Sequence, residues 1–486
     1  MPSRIRFLFI ILALLAGSLA CQRCPLPAAI LGTEEASPTP FISPAIPPPT
    51  AITLFATGLF NTSPAPASPG APTTLPPASL SPAPSNSPAS SLTPRPSPSA
   101  LQLQVFEELW AAVNDNYLYP DFNGLDWNAV HLEYRQRIQA GMSDEEFYTA
   151  MKDMIYRLGD DHSSYLSPQE VTEQDAQYTG SYDYAGIGVM ISAVPERNLG
   201  TILLVFPDSP ADRAGLQPHD NLLEIDGQSL VEGLTLRREL LRGPEGTTIQ
   251  VTVQSPGQPP RQVSITRKRI DGTLPILRQN MSSPGGKRIG YIFLPTFNDQ
   301  NIDDQVGQAL IDLSVSSPLD GLIIDDRQNV GGSSEVLLDT LAYFTNGPVG
   351  SLVTRQGEHP LAVTGKDIAG SQRIPLVVMI DQGAISFGEV FAGVLKDLGR
   401  AFLIGEQTAG NVEVLAIYNL PDGSRAMIAS MTFRPLNQPG QDWEKTGILP
   451  DMLVLTAWDQ FTLENDPAIQ AALQYFDKVF FTGTVK

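Results

Sequence analysis

The residues best placed to do chemistry lie in IPLVVMIDQGAISFGEVFAGVLKD, residues 374–397. Leu376 to Ile380 is an unbroken apolar run, the pattern of a strand buried on both faces. A turn of small residues follows from Asp381 to Ile385, and then Ser386. Beyond it Val390, Phe391, Val394, Leu395 and Leu398 recur at helical spacing. A serine between a strand end and a helix start sits among free N–H groups that stabilise developing negative charge. Its hydroxyl remains a weak nucleophile until a base takes the proton. The chain offers four histidines. His131 falls in an amphipathic helical stretch, His219 in the turn QPHD and His359 in the polar loop RQGEHP, whereas His162 follows a helix end in GDDHSSYLSP. The two cysteines, Cys21 and Cys24, both precede the folded part, which excludes a disulfide or a cysteine nucleophile there. No Cys/His spacing of a zinc site occurs, so neither metal nor other cofactor is expected.

The elements that must position this serine can be read outward from it. Residues 269–465 alternate apolar strand patterns with helical ones: RIGYIFLPTF, DDQVGQALIDL, DGLIIDDRQNVGG, EVLLDTLAYF, PLVVMID, the Ser386 helix and AFLIGEQTAG. Such alternation predicts an α/β layer of largely parallel strands, with ligands bound at the carboxyl ends of the strands. Both DDRQNVGG and DQGAIS leave strands at that edge. Before the core, GIGVMISAV, TILLVF, NLLEIDG, IQVTVQ and QVSITRK predict a β-rich unit. Within it SPADRAGL reads as a short helix, and VEGLTLRRELLRG, residues 231–243, as a longer one. Residues 101–170 predict helices: Phe106, Leu109, Trp110, Val113 and Tyr117 form one stripe, and Ser143 with Glu146 makes a capping box for a second helix that stops at Gly159.

The amino-terminal residues are of a different kind. Arg4 and Arg6 precede an apolar run from Phe7 to Ala16 and the small residues GSLAC, which reads as an export signal with Cys21 as a lipoprotein-type acceptor. Residues 22–100 are rich in Pro, Ser, Ala and Thr and nearly free of charge, the composition of a disordered tether. A net charge of −21 argues against a nucleic-acid partner.

Several of these runs carry a family likeness. GIGV with SPADRAGLQPHDNLLEIDGQSL resembles a PDZ domain, which implies that Gly186, Ile187, Gly188 and Val189 cradle a peptide carboxylate with backbone N–H groups while the neighbouring strand accepts the peptide as an added strand. The order of DDHSSYLSP, GYIFLPTF, GLIIDDRQNVGG, QGAISFGEVFAGVLKDLGRAFLIGEQTAG and EKTGILPD resembles the carboxyl-terminal processing peptidases, or tail-specific proteases. The resemblance implies Ser386 as nucleophile, and Gly331 and Gly332 with the N–H of Phe387 as an oxyanion hole. Asp325 and Arg327 are expected to pair and pin the loop, with Asn329 holding its turn.

Two positions depart from that family. Most members pair the serine with a lysine in the loop after the next strand, where this chain has Asn411, and the glutamine usual just beyond is Leu415. Lys396, inside the serine helix, reads as a surface residue. A related type, resembling the tricorn core protease, takes its base histidine from the helical N-terminal piece and a glutamate from near the end of the core. That likeness implies His162 as base and Glu444 as its partner, with Asp442 the nearby rival.

The resulting expectation is a multidomain α/β protein. It comprises a signal or lipoprotein peptide (1–21), a tether (22–100), a helical region (101–172), a PDZ-like domain (173–268) and an α/β peptidase core with its C-terminal tail (269–486). The expected function is an exported serine endopeptidase that recognises polypeptide C-termini, tethered to a membrane through lipidated Cys21. The rival reading is an inactive relative acting as a tail-binding adaptor.

Overall fold

The computed structural model describes residues 99–160, 162–172, 184–233, 235–270, 274–455 and 457–481. The export signal, Cys21 and the tether expected from the sequence lie outside these residues. No helix among the described residues is long and apolar enough to cross a membrane.

The core is a six-stranded sheet in the order Arg278–Ser282, Arg288–Phe293, Gly321–Asp325, Leu376–Ile380, Phe402–Gly405, Met452–Leu453. From Arg288–Phe293 onward neighbouring strands run parallel. Gly321–Asp325 and Leu376–Ile380 are buried at every position, because helices cover both faces. Ile302–Ser314, Ser334–Leu341 and Phe387–Asp397 pack one face, and Pro467–Phe481 packs the other through Ala468, Ile469, Ala472 and Phe476. Each fully buried Leu, Ile, Val or Phe contributes roughly 1.5–3 kcal/mol.

A second sheet was not expected from the periodicity. It runs Ser164–Leu166, Arg425–Pro435, Gly347–Val353, Glu358–Val363, with Val414–Asn419 also paired to Arg425–Pro435. His359 therefore lies in a strand, not in the polar loop its neighbours suggested. The three N-terminal helices, Ala100–Asn116, Trp127–Gln139 and Asp144–Tyr156, bury Phe106, Leu109, Val113, Phe147 and Met151 against Leu415, Met427 and Ile428 of this sheet. The capping box at Ser143 is present, and Gly159 takes the left-handed φ of +71° that ends the helical stretch. The helical region thus shares its hydrophobic core with the peptidase core, and Ser164–Leu166 joins the two.

The PDZ unit is a sheet in the order Arg261–Thr266, Thr248–Gln254, Asn221–Ile225, Leu199–Val205, Val189–Val194, and the short helix Pro210–Arg213 is capped by Ser209. Lys268–Ile270 pairs antiparallel with Tyr184–Gly186. The helix expected over 231–243 does not form. Val231–Glu232 and Thr235–Leu236 make a hairpin, followed by a single 3-10 turn at Arg238–Leu240. Gly233, with φ +61°, supplies the positive φ that a tight hairpin turn needs and breaks the helical pattern. The PDZ unit docks on the core through Trp458: His219 stacks on its ring at 4.3 Å, and its indole N–H donates to the Ile202 carbonyl at 3.0 Å.

Candidate active site

Ser386 caps the helix Phe387–Asp397 with φ 56° and ψ −126°. That conformation costs a non-glycine residue about 1–3 kcal/mol, and such strain persists only where neighbours hold it. Here the holders are backbone bonds. Ile385 N–H donates to the Asn329 carbonyl at 2.9 Å and Ser386 N–H to the Asn411 carbonyl at 2.7 Å. The serine is 5% exposed.

The loop after Gly321–Asp325 lies against this turn. Arg327, fully buried, makes a two-pronged pair with Asp325 at 2.8 and 2.7 Å and a second with Asp466 at 2.7 Å, so the expected pin is present and larger than foreseen. Asn329 donates to Asp326 at 2.7 Å and accepts the Gly331 N–H at 3.0 Å. This corrects the expected oxyanion hole: the Gly331 N–H is already engaged. The Gly332 and Phe387 N–H groups have no acceptor among the described residues. Gly331 contributes closeness, since a Cβ there would stand 2.9 Å from both the Phe387 nitrogen and the Ser386 Cβ. A Cβ on Gly332 would stand 1.9 Å from the Phe297 carbonyl carbon.

Asn411 occupies the place of the usual lysine. Its backbone is tied to the serine helix twice, by the Ser386 bond and by its N–H donating to Glu389 at 2.7 Å; Gly410 N–H donates to the same carboxylate at 2.8 Å. Glu389 is fully buried in the first turn of the serine helix, and burial, against the bonds from Thr408, Gly410 and Asn411, pushes it up to about 7. The next two residues continue the connection. Val412 and Glu413 N–H groups donate to Glu444 Oε2 at 2.7 and 3.1 Å. Glu444 Oε1 then meets His162 Nε2 at 2.7 Å. The rival Asp442 pairs instead with Lys445 at 2.8 Å.

His162 thus stands beside Glu444, as the sequence suggested. No hydrogen bond joins His162 to Ser386 Oγ among the described residues. Burial pulls the imidazole down, but the bond to Glu444 and the charges of Glu444, Glu413 and Asp160 outweigh it and push it up to about 9. Glu413 was missed by sequence reasoning. It is 4% exposed, accepts from the Tyr119 hydroxyl through Oε1, and places Oε2, which has no hydrogen-bond partner, 3.9 Å from His162 Nε2. Burial, opposed by His162 and reinforced by Glu444, pushes it up to about 7. Nothing in NVEV marks this glutamate, because Tyr119 and His162 approach it only through the second sheet. Glu389 was more legible: it is an acid on the helix stretch GEVFAGVL, where every neighbour is apolar or glycine.

His162, Glu413 and Glu444 bring three ligand atoms within 4.8 Å of one another, a spacing that a cation could also bridge. The other histidines are placed elsewhere. His131 meets Glu107 at 2.8 Å on the helical region, and His219 is in the PDZ–core contact. Lys396 bonds the Leu449 carbonyl at 2.6 Å and pairs with Asp451 on the surface. In the PDZ unit Val189 opens the edge strand, Gly188 has φ +81°, and a Cβ there would strike Ser209 at 2.3 Å. The Ile187 carbonyl accepts from Ala211 at 2.9 Å, and Gly186 pairs with Lys268.

Comparison with known proteins follows the same division of the chain. The peptidase family S41 model matches residues 288–454, the tricorn protease C1 domain model residues 98–156 and a PDZ domain model residues 201–255. The carboxyl-terminal-processing protease of Synechocystis sp. is 33% identical over 389 residues, covering 77% of this chain and 88% of that protein. The chloroplastic carboxyl-terminal-processing peptidase 2 of Arabidopsis thaliana is 28% identical over 360 residues, covering 71% and 68%. The solved structure of a photosystem II D1 C-terminal processing protease superposes with a TM-score of 0.53 at 26% identity, covering 73% of this chain and 93% of that one. The chain belongs to the carboxyl-terminal-processing proteases of peptidase family S41, serine-type peptidases with a PDZ domain.

Proposed function

We propose that the protein is an exported endopeptidase that takes polypeptide C-termini through its PDZ domain and cleaves them on Ser386, with His162 as base and Glu444 as the carboxylate behind it. The observation that carries this reading is the 2.7 Å contact between His162 Nε2 and Glu444 Oε1, which is reached from Ser386 through the backbone of residues 411–413. Because Nε2 faces the carboxylate, Nδ1 is the nitrogen that would take the serine proton. In the first step Ser386 Oγ attacks the scissile carbonyl, and the proton passes to His162. The oxyanion is held by the Gly332 and Phe387 N–H groups at the start of the serine helix. His162 then protonates the departing amine, and water hydrolyses the acyl-enzyme by the same route. The step requires the His162 turn to close on Ser386 when substrate binds; catalytic hydrogen bonds commonly tighten only in the substrate complex.

At its binding end, the reading assigns the tail carboxylate to Gly186, Ile187, Gly188 and Val189, and the tail itself to the open edge of Val189–Val194. Export and membrane tethering through a lipidated Cys21 belong to the same reading and rest on the amino-terminal sequence alone. The inactive-adaptor alternative is favoured by one observation, the Asn411 side chain where a lysine base is usual.

The deciding experiment is a cleavage assay of the purified full chain on an unfolded polypeptide with an apolar tail, comparing wild type with Ser386→Ala, His162→Ala and Asn411→Lys. Cleavage lost in both alanine variants supports the serine–histidine mechanism. An inert wild type that still binds tails and gains cleavage with Asn411→Lys sinks it and leaves the adaptor.

A further inference from the structure

We infer that Arg238 and Arg242 form an anion subsite at the carboxylate-loop end of the PDZ groove, selecting polypeptide tails that carry an acidic side chain beside the terminal carboxylate. The inference deepens the tail-recognition reading above and rests on it.

The segment holding these arginines takes the place of the helix expected over 231–243 and is fastened to the strand that leads into the carboxylate loop. Gly243 N–H donates to the Ala185 carbonyl at 3.1 Å. The Leu241 carbonyl lies 3.4 Å from where a Cβ of Gly186 would stand. Arg242 lies over the Tyr184 ring at 4.7 Å. Arg242 is therefore held beside the residues immediately preceding Ile187 and Gly188, and Arg238 stands close enough to Arg242 to feel its charge.

Neither guanidinium has an ion pair or hydrogen bond among the described residues. Their neighbour shows what an answered arginine looks like here: Arg237 bonds Gln228 at 3.0 Å and the Ser229 carbonyl at 3.4 Å, with Glu239 also at 3.4 Å. The protein has 52 acidic and 31 basic residues, so cations left unanswered are against its overall balance. Arg242 is exposed, but Arg238 is half-buried. Burial first, and the charge of Arg242 second, hold Arg238 below its ordinary range. Two cations close enough to disfavour each other, one of them partly desolvated, form a place where an anion relieves both.

The count of charges sets the substrate class. A terminal carboxylate is already met by the backbone N–H groups of the loop. Each guanidinium can fork onto one carboxylate. Two guanidiniums beside the loop therefore exceed what a single terminal carboxylate needs, and the surplus suits a second carboxylate on the tail, from Asp or Glu at or next to the last position.

The test uses the full chain carrying Ser386→Ala, so that peptides are bound and not cut, and reads fluorescence anisotropy in moderate salt. The probes are a short peptide ending in Val-Ala-Glu, the same peptide ending in Val-Ala-Gln, and the Gln peptide with its carboxylate amidated. The Glu tail should bind about tenfold tighter than the Gln tail, as expected for a solvent-accessible charge-assisted contact. Arg238→Gln with Arg242→Gln should bring the two tails together and leave the Gln tail bound. Arg242→Gln alone, at an exposed position, should reduce the preference partway, and gives an answer even where the double variant folds poorly. Equal binding of Glu and Gln tails by the parent, or an unchanged preference in Arg242→Gln, overturns the subsite while tail recognition stands. Binding that ignores the amidated carboxylate, or no binding of any tail, removes tail recognition and the subsite with it.

Discussion

The two halves of the proposed active site are built differently. The nucleophile half is local. Ser386, the turn before it, the helix after it and the Asn329–Gly332 loop all leave adjacent strands of one parallel sheet, Gly321–Asp325 and Leu376–Ile380. The base half is assembled from afar. His162 comes from the helical region, Tyr119 from another part of that region, Glu413 from the residue before the strand Val414–Asn419 of the second sheet and Glu444 from a short helix further on. The first half is held by backbone bonds at the serine turn and by buried side chains of its own loop and helix, Arg327, Asn329 and Glu389; the second is joined by side chains from distant segments and by two N–H groups on one carboxylate. The first is therefore preformed, whereas the second depends on the docking of the helical region.

The largest expected effect probes the nucleophile. Ser386→Ala should reduce cleavage at least about 10⁴-fold, with the thermal midpoint nearly unchanged, because only one small side chain in a backbone-held turn is altered. Retained cleavage would dissolve the comparison by removing the nucleophile itself.

Next in size is the carboxylate. Glu444→Gln should lower the rate by roughly 10³–10⁴-fold through loss of the tautomer and of imidazolium stabilisation. Combined with His162→Ala it should add little further, since the two act as one unit. Independent, additive losses measured in the same assay would show that His162 does not work through Glu444.

A pH profile sharpens the contrast. With His162 pushed up to about 9 by Glu444, Glu413 and Asp160 against its burial, the free base is roughly one part in a hundred at pH 7. The cleavage rate should climb with pH toward about 9. Glu413→Gln removes one of the charges that hold the proton, so the alkaline rise should move to lower pH. A profile flat from pH 6 to 9, or unmoved in that variant, would separate the histidine from the rate. Because a proton rather than a cation is assigned to this trio, EDTA should leave the rate unchanged.

The smallest effect is on stability. A group whose folded pKa is raised contributes stability that is full below its unfolded value and lost as pH rises through its folded value. For His162 that window runs from roughly 6.5 to about 9, and for Glu413 from about 4.5 to about 7. The melting midpoint should fall over both windows. His162→Gln should flatten the upper one and, because the imidazolium no longer opposes the shift of Glu413, carry the lower one to higher pH, as read by thermal unfolding at stepped pH.

Much of the nucleophile half was legible in the chain. An apolar run, a turn of small residues, a serine and a helical stripe are contiguous, and local patterning suffices to read them. The Asp325–Arg327 pin was legible for the same reason. The oxyanion donors were not fully so: that Asn329 claims the Gly331 N–H follows from a side-chain rotamer, which spacing does not reveal. His162 and Glu444 could be named only through likeness to relatives, and Glu413 could not be named at all. The missing helix at 231–243 shows the converse limit, where Gly233 turned an apolar pattern into a hairpin followed by a single 3-10 turn at Arg238–Leu240.

By itself the sequence determined the parallel core, the order of its parts, the strand–serine–helix unit and the absence of a lysine at position 411. These are set by burial periodicity and by chemistry within a few residues. The tertiary structure alone decided which carboxylates surround His162, how far its proton is held, and which N–H groups remain open. Each of those depends on contacts between segments far apart in the chain, brought together by a second sheet and a shared hydrophobic core.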